Sequence, residues 1–170
     1  MKEKFYLPSD EMAFRKIYKP LVEKEILTTV FRPGQRLCND FRGYCPEDIV
    51  KAKIIAELGS DRAKLAPKFL GNPIKFIKIG SIKAIKIKDL KPADFKGSSP
   101  DVRDKQSLKY HLGLIYNLDP ASLSDETEVT RINFTYLKIK KNRKNGQNGK
   151  NEKDSGTLSR SFDACKNSSR

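Results

Sequence analysis

The chain has one histidine, three cysteines and no long apolar run. Each scarcity closes a class of function. No window approaches the roughly 18 consecutive apolar residues of a membrane helix. The opening MKEKFYLPSDEM has no apolar stretch of signal-peptide length. A cytoplasmic protein with no membrane partner is therefore expected. Cys38, Cys45 and Cys165 are too few and too scattered for a disulfide framework and fit a reducing compartment. Cys38 and Cys45 share a loop, but a zinc site needs two further ligands, so no metal is expected. Catalysis through histidine would have to use His111 alone. No Walker loop and no G-x-G-x-x-G occurs, and no cofactor is expected.

Positive charge is what the sequence has in excess. Lysine and arginine total 35 against 21 acids, a net charge of +14. The segment from Lys141 onward holds 8 basic and 3 acidic residues, which leaves +9 on residues 1–140. An excess of that size favours a polyanionic partner, RNA or another nucleic acid. The 170 residues suffice for one domain with a sizeable core. Residues 1–12 read as a loosely held lead-in and 13–140 as the domain. Residues 141–170, rich in Asn, Gly, Ser and Lys, read as a disordered basic tail.

Within the domain, Ala13 to Tyr18 is an expected strand and Pro20 to Glu25 a short helix, because proline suits a first helical position and breaks an interior. Ile26 to Arg32, β-branched and aromatic, is a second strand ending in the Arg32-Pro33-Gly34 turn. Asp48 to Leu58 alternates cleanly, with Val50, Ala52, Ile54, Ala56 and Leu58 on one face and Lys51, Lys53 and Glu57 on the other. Residues 59–72 are a loop or a short helical excursion.

The stretch 74–89, IKFIKIGSIKAIKIKD, writes one pattern twice, and its parity slips twice: Ile77, Ile79, Ile85 and Ile87 share one parity, while Ile74, Phe76, Ile82 and Ala84 have the other. Gly80-Ser81 is either the tight turn of a hairpin or a bulge in one long bent strand, and the bent strand is the preferred reading. Ser98-Ser99-Pro100-Asp101 has the residues that open a helix, which Leu108, Leu112 and Ile115 carry to about Tyr116. His111 lies on that apolar stripe and reads as a partly buried, hydrogen-bonded core residue. Thr127 to Leu137 is a last strand, with Ile132, Phe134 and Tyr136 inward and Arg131, Asn133 and Thr135 outward. The expected fold is α+β and mostly β, a small barrel flanked by two helices.

The binding candidates follow from charge and position. Lys51 and Lys53 project from one strand, Lys86 and Lys88 from the repeat, Arg32 and Arg36 flank the RPG turn, and Arg103 lies beside the later helix. Because of the parity slip, the lysines of the repeat cannot all point one way, and only a subset can line one groove.

The order of elements, the ILTTVFRPG strand after a short helix, the long strand ending IKAIKIKDL and the helix ending LGLIY together resemble an ASCH domain of the PUA-like superfamily, over roughly Ala13 to Leu137. The resemblance implies a small β-barrel with a cleft between barrel and helices, associated with RNA. Some ASCH domains are amidohydrolases that deacetylate acetylcytidine, using a lysine and a threonine on the second strand and an acid at the start of the later helix. With the strand's terminal arginine placed on Arg32, Leu27 stands at the lysine position and Val30 at the threonine position. Glu25 lies near the place of a usual glycine, and Asp101 stands for the acid. Leucine can neither donate nor accept a proton, so acid–base work there is lost. Thr28, Thr29 and Arg32 can still hydrogen-bond a base or a phosphate. The expectation is an RNA-binding domain without catalysis of its own. The alternatives are a hydrolase or nuclease using Asp101, and a protein-interaction module.

Overall fold

The computed structural model describes residues 10–40, 43–59, 65–116 and 118–138. The tail expected over 141–170 lies outside them, as does most of the expected lead-in. Strand β1 (Glu11–Arg15) runs through a single 3-10 turn into the short helix α1 (Lys19–Glu23). Strands β2 (Thr29–Pro33), β3 (Ile49–Glu57), β4 (Lys68–Phe69) and β5 (Lys75–Lys86) follow, then helix α2 (Lys105–Tyr116) and β6 (Glu128–Tyr136). Strand β1 takes in Glu11 and Met12, which the sequence placed in the lead-in. Met12 lies opposite Ala52 in the parallel β1–β3 pairing and is fully buried, so burial sets the strand's start.

The sheet order is β1-β3-β5-β6-β2, with β4 off this path, paired to the last residues of β3. All pairings except β1–β3 are antiparallel. This is a sheet-dominated α+β fold, and among the described residues its ladders leave the sheet open, with β1 and β2 at the two ends.

Segment 74–89 contains one long strand. Ile79 pairs with Phe134 and Ile82 with Ile132, so Gly80 and Ser81 together oppose Asn133 in a bulge. A side chain at position 80 would lie 3.3 Å from the Asn133 carbonyl oxygen, a close approach that glycine relieves. The bulge also accounts for the parity slip. Ile77 and Ile79 before it, and Ile82 after it, face a core with Met12, Phe14, Val50, Ile54, Ile132 and Phe134. Ile85 and Ile87 face a second core with Phe31, Phe95, Leu108, Leu112 and Val129. The two apolar sets of the repeat thus serve opposite faces of the sheet.

Two expected orientations change. Arg131 is not turned out to water; it pairs with Asp94 and keeps only 20% of its side chain exposed, because the second core covers that face of β6. Leu58 is 62% exposed, since β3 ends at Glu57.

Helix α2 starts at Lys105, later than the Ser98–Pro100 signal implies. A reciprocal cap sets the start: the Ser107 amide donates to Asp104 Oδ1 (2.8 Å), and the Asp104 amide donates to Ser107 Oγ (3.0 Å). Ahead of the cap, Ser98 donates its hydroxyl to the chain at Phe95 O or Val102 O, both 2.6 Å away, and Val102 is buried in the second core. Residues 98–104 are therefore a compact turn.

Cys38 and Cys45 form a disulfide, contrary to the expectation of free thiols. Asp40 reverses the chain between them: its carboxylate accepts from the Leu37 amide (2.8 Å) and its carbonyl from the Gly43 amide (2.9 Å). The two Cα atoms end 4.5 Å apart, within disulfide range. Neither a count of cysteines nor their spacing reports such a reversal.

Candidate nucleic-acid interface

The delayed start of α2 has a consequence at Asp101. Freed from the helix, its carboxylate turns toward Tyr18 and His111. The Tyr18 hydroxyl lies 2.8 Å from Asp101 Oδ2, and His111 Nδ1 lies 2.8 Å from the same oxygen. Ser99, also buried, donates to this carboxylate. The sequence placed His111 correctly as a hydrogen-bonded residue of the apolar stripe but gave it no partner.

The charges of this cluster settle as follows. Burial opposes the Asp101 charge, but hydrogen bonds from Ser99 and Tyr18 outweigh it and hold the carboxyl below its ordinary range. Burial also opposes charge on His111, and the attraction of Asp101 offsets this only in part, so the imidazole titrates below its usual value. At neutral pH the ring is uncharged, with its proton on Nδ1 facing the carboxylate. Burial and the adjoining Asp101 push the Tyr18 hydroxyl far above its usual range, and it stays protonated.

Two arginines reach the last turn of α2 from the two ends of the sheet. Arg15, closing β1, donates to the Ile115 carbonyl (2.5 Å). Arg32, on β2, donates to the Tyr116 hydroxyl (3.1 Å) and to the Ala13 carbonyl on β1 (2.8 Å). Arg32 thus links the open ends of the sheet through its side chain. Burial works against its charge, and the surrounding oxygens of Tyr116 and Tyr44 more than compensate. Arg36 packs its guanidinium over the Tyr116 ring, 5.9 Å from the centroid.

The Thr29 hydroxyl and the Thr28 backbone are tied into the scaffold. Thr29 is buried and donates to the Lys96 carbonyl (2.7 Å), while the backbone amides of Thr28 and Thr29 both donate to Gly97 O. Gly97 has φ +79°, and a side chain there would fall 2.1 Å from Thr28 Oγ1. Leu27 is a core residue whose carbonyl accepts from the Tyr136 hydroxyl (2.6 Å), and Val30 packs at the edge of the same core. Glu25 adopts φ +59°, a left-handed conformation that glycine would hold without strain.

The candidate lysines are not gathered at this place. Lys51 pairs with Asp10 (2.6 Å) and Lys53 with Glu11 (2.9 Å) at the β1–β3 edge. Lys86 and Lys88 share Glu126 (2.9 and 2.6 Å) at the far end of β5. Lys51 lies opposite Phe76, so Lys86, ten residues further along the strand, is about 30 Å away. Arg103, exposed, donates to Pro100 O (2.6 Å) in the turn that carries Asp101. Most lysines of the 74–89 repeat likewise face acids: Lys75 pairs with Glu25 and Lys78 with Glu47. Sequence reasoning therefore missed Arg15, Tyr18 and Ser99, and it read His111 as a core residue without its partners. For the partners of Asp101 the signal was the Asp104-x-x-Ser107 cap, which moves the helix start past Asp101.

No family model matches the chain, and no curated protein matches it. Among solved structures, the crystal structure of protein EF3133 from Enterococcus faecalis V583, of the family DUF984, is similar over 69% of this chain and 68% of that one. The identity is 9% and the TM-score 0.39, and nothing about the chemistry of this chain follows from it. Among the described residues no helix is long and apolar enough to cross a membrane.

Proposed function

We propose that the protein binds RNA at the region where Arg15, Arg32 and Arg36 meet the end of α2. The scaffold would be an ASCH-like, PUA-like barrel whose sheet ends are bridged by Arg32, and it would have no catalytic activity of its own. One observation carries this reading. Arg15 and Arg32 are half-buried and have no carboxylate partner among the described residues, holding only carbonyl and hydroxyl oxygens, whereas most strand lysines face an acid. Guanidinium groups fixed in this way keep donors for a phosphate or a base edge. The lysine–acid pairs at Lys51, Lys86 and Lys88 are exposed, and exposed pairs contribute little. An extended polyanion can exchange their acids for phosphates and so recruit both lysine groups.

The test is fluorescence anisotropy of the full chain with a labelled single-stranded RNA at rising salt. Contact with about four phosphates gives a slope near −0.7 per phosphate, so affinity should fall about 50-fold between 50 and 200 mM salt. Binding unchanged by salt, or none at low salt, defeats the reading and favours a protein-interaction role.

The Asp101–His111 hydrogen bond favours a second reading, a hydrolase or nuclease that uses Asp101. Leu27 and Val30, both apolar, stand against it at the two positions where the amidohydrolases of the resembled family carry lysine and threonine. Acetylcytidine is expected to survive prolonged incubation with the protein. Turnover abolished by Asp101→Asn would put the hydrolase in place of the binder.

A further inference from the structure

Histidine 111 sits one turn before Ile115, so its ring and the carbonyl held by Arg15 lie on the same side of α2. Arg32 reaches the same final turn through Tyr116. The imidazole has one nitrogen committed: Nδ1 faces Asp101 Oδ2 at 2.8 Å. Among the described residues its Nε2 has only the Tyr18 hydroxyl, at 3.5 Å, too long to use its lone pair well. A guanidinium has five N–H donors. Arg15 uses one to a protein acceptor and Arg32 uses two. Two positive forks and one open ring nitrogen therefore lie along one side of α2, and among the described residues the acid that faces the ring is Asp101.

We propose that Arg15, Arg32 and the Nε2 edge of His111 receive a dianionic phosphate, of the kind found at the end of an RNA strand or on a nucleotide, and that His111 takes up a proton as it binds. The inference rests on the RNA-binding reading for the source of the phosphate but not for the site itself. The charges support a dianion. The groups facing His111 are Asp101 from the turn before α2, Arg15 from β1, Arg32 from β2, and Tyr18 from the turn after β1. Tyr18 is neutral. Once His111 is protonated, three positive charges and one negative remain, and a phosphate monoester in its doubly charged form balances them. A backbone phosphodiester carries a single charge and leaves one positive charge unmatched.

The free protein opposes this protonation, because burial and the two arginines disfavour charge on the ring. A bound dianion reverses the local field, so the imidazole's titration must move upward on binding, and by linkage the phosphate must bind more tightly as pH falls toward 6. The second ionisation of a phosphate monoester lies near pH 6, so the gain should level off below that.

His111 is the only histidine in the chain, which gives the experiment an unambiguous signal. The ring Cε1 proton of the full protein is followed by NMR from pH 5 to 8, alone and with inorganic phosphate. The same is done with a 5′-phosphorylated oligoribonucleotide and with its unphosphorylated twin. The expected result is an apparent pKa raised by about one unit with phosphate and with the phosphorylated strand, and less with the twin. Arg15→Gln should weaken phosphate binding about tenfold and reduce the shift. A His111 resonance that ignores phosphate while RNA still binds overturns this site and leaves the RNA reading standing. If RNA fails to bind but phosphate still shifts His111, the RNA reading falls and the site holds. Equal shifts with both strands overturn the assignment to a terminal phosphate.

Discussion

Arg32→Ala is expected to lower stability by about 2–4 kcal/mol and to abolish measurable RNA affinity. The guanidinium joins β2 to the Ala13 carbonyl on β1 and to the Tyr116 hydroxyl on α2. The strands β1 and β2 are the two ends of the sheet and, among the described residues, share no ladder with each other, so this side chain is their direct link. Alanine leaves the carbonyl and the hydroxyl without their donor, at about 1–3 kcal/mol for each group that water cannot reach. It also removes the long side chain that fills the space between them. Arg32→Lys keeps the charge but not the fork, and a single ammonium cannot hold both oxygens at their present positions. It should recover part of the stability and little of the affinity. Urea denaturation of the three proteins measures the first effect and anisotropy with RNA the second. An Arg32→Ala protein within about 0.5 kcal/mol of wild type would mean that the sheet ends are held by something else.

The longer strands were legible because their signals are local, whereas the two-residue β4 lies in the stretch 59–72 expected to be a loop or a helical excursion. Alternation placed β3 within one residue at each end, and the apolar parity of 74–89 contained both the long strand and its interruption. What parity could not say was that the interruption keeps Ile82 with the first core and turns Ile85 and Ile87 to the second. That depends on β6, whose Val129 and Ile132 face opposite sides of the sheet, and on α2 covering the second side. The lysines of the repeat raised the question of a polyanion surface, and their ion pairs give a local answer. Most sit opposite acids supplied by loops and strand ends far off in sequence, such as Glu25 for Lys75 and Glu126 for Lys86.

The site was less legible than the fold for the same reason. Asp101, His111 and Arg32 were each visible as single residues, but Tyr18 lies 83 positions from Asp101 and Arg15 lies 100 from Ile115. Pairings at that distance are set by how β1 and α2 pack together. Even the nearby error, the start of α2, came from competition. Ser98, Pro100 and Asp101 all favour a helix start, and the Asp104–Ser107 cap won because burying Val102 requires a turn ahead of it.

Opening the Cys38–Cys45 bond is expected to cost about 2–3 kcal/mol, through the chain entropy that a closed loop of this length withholds from the unfolded state. The bond closes the segment between β2 and β3, which also carries Arg36 and Tyr44. Tyr44 is buried in the first core and donates its hydroxyl to Glu11 O (2.9 Å), so the loop is anchored to β1 as well as to itself. Reduction should therefore loosen the loop while the sheet remains folded, and Arg36 should lose its fixed place over Tyr116. RNA affinity should fall more than it does on replacing a distant lysine such as Lys86, although neither cysteine belongs to the proposed site. The double variant Cys38→Ser/Cys45→Ser reports the same loss without a reductant. Mass spectrometry after alkylation shows whether the bond is present: Cys38 and Cys45 should resist labelling until the protein is reduced. If both are labelled at once in protein kept under oxidising conditions, and the melting temperature ignores reductant, then the Asp40 turn alone holds the loop and the bond has no part in stability or binding.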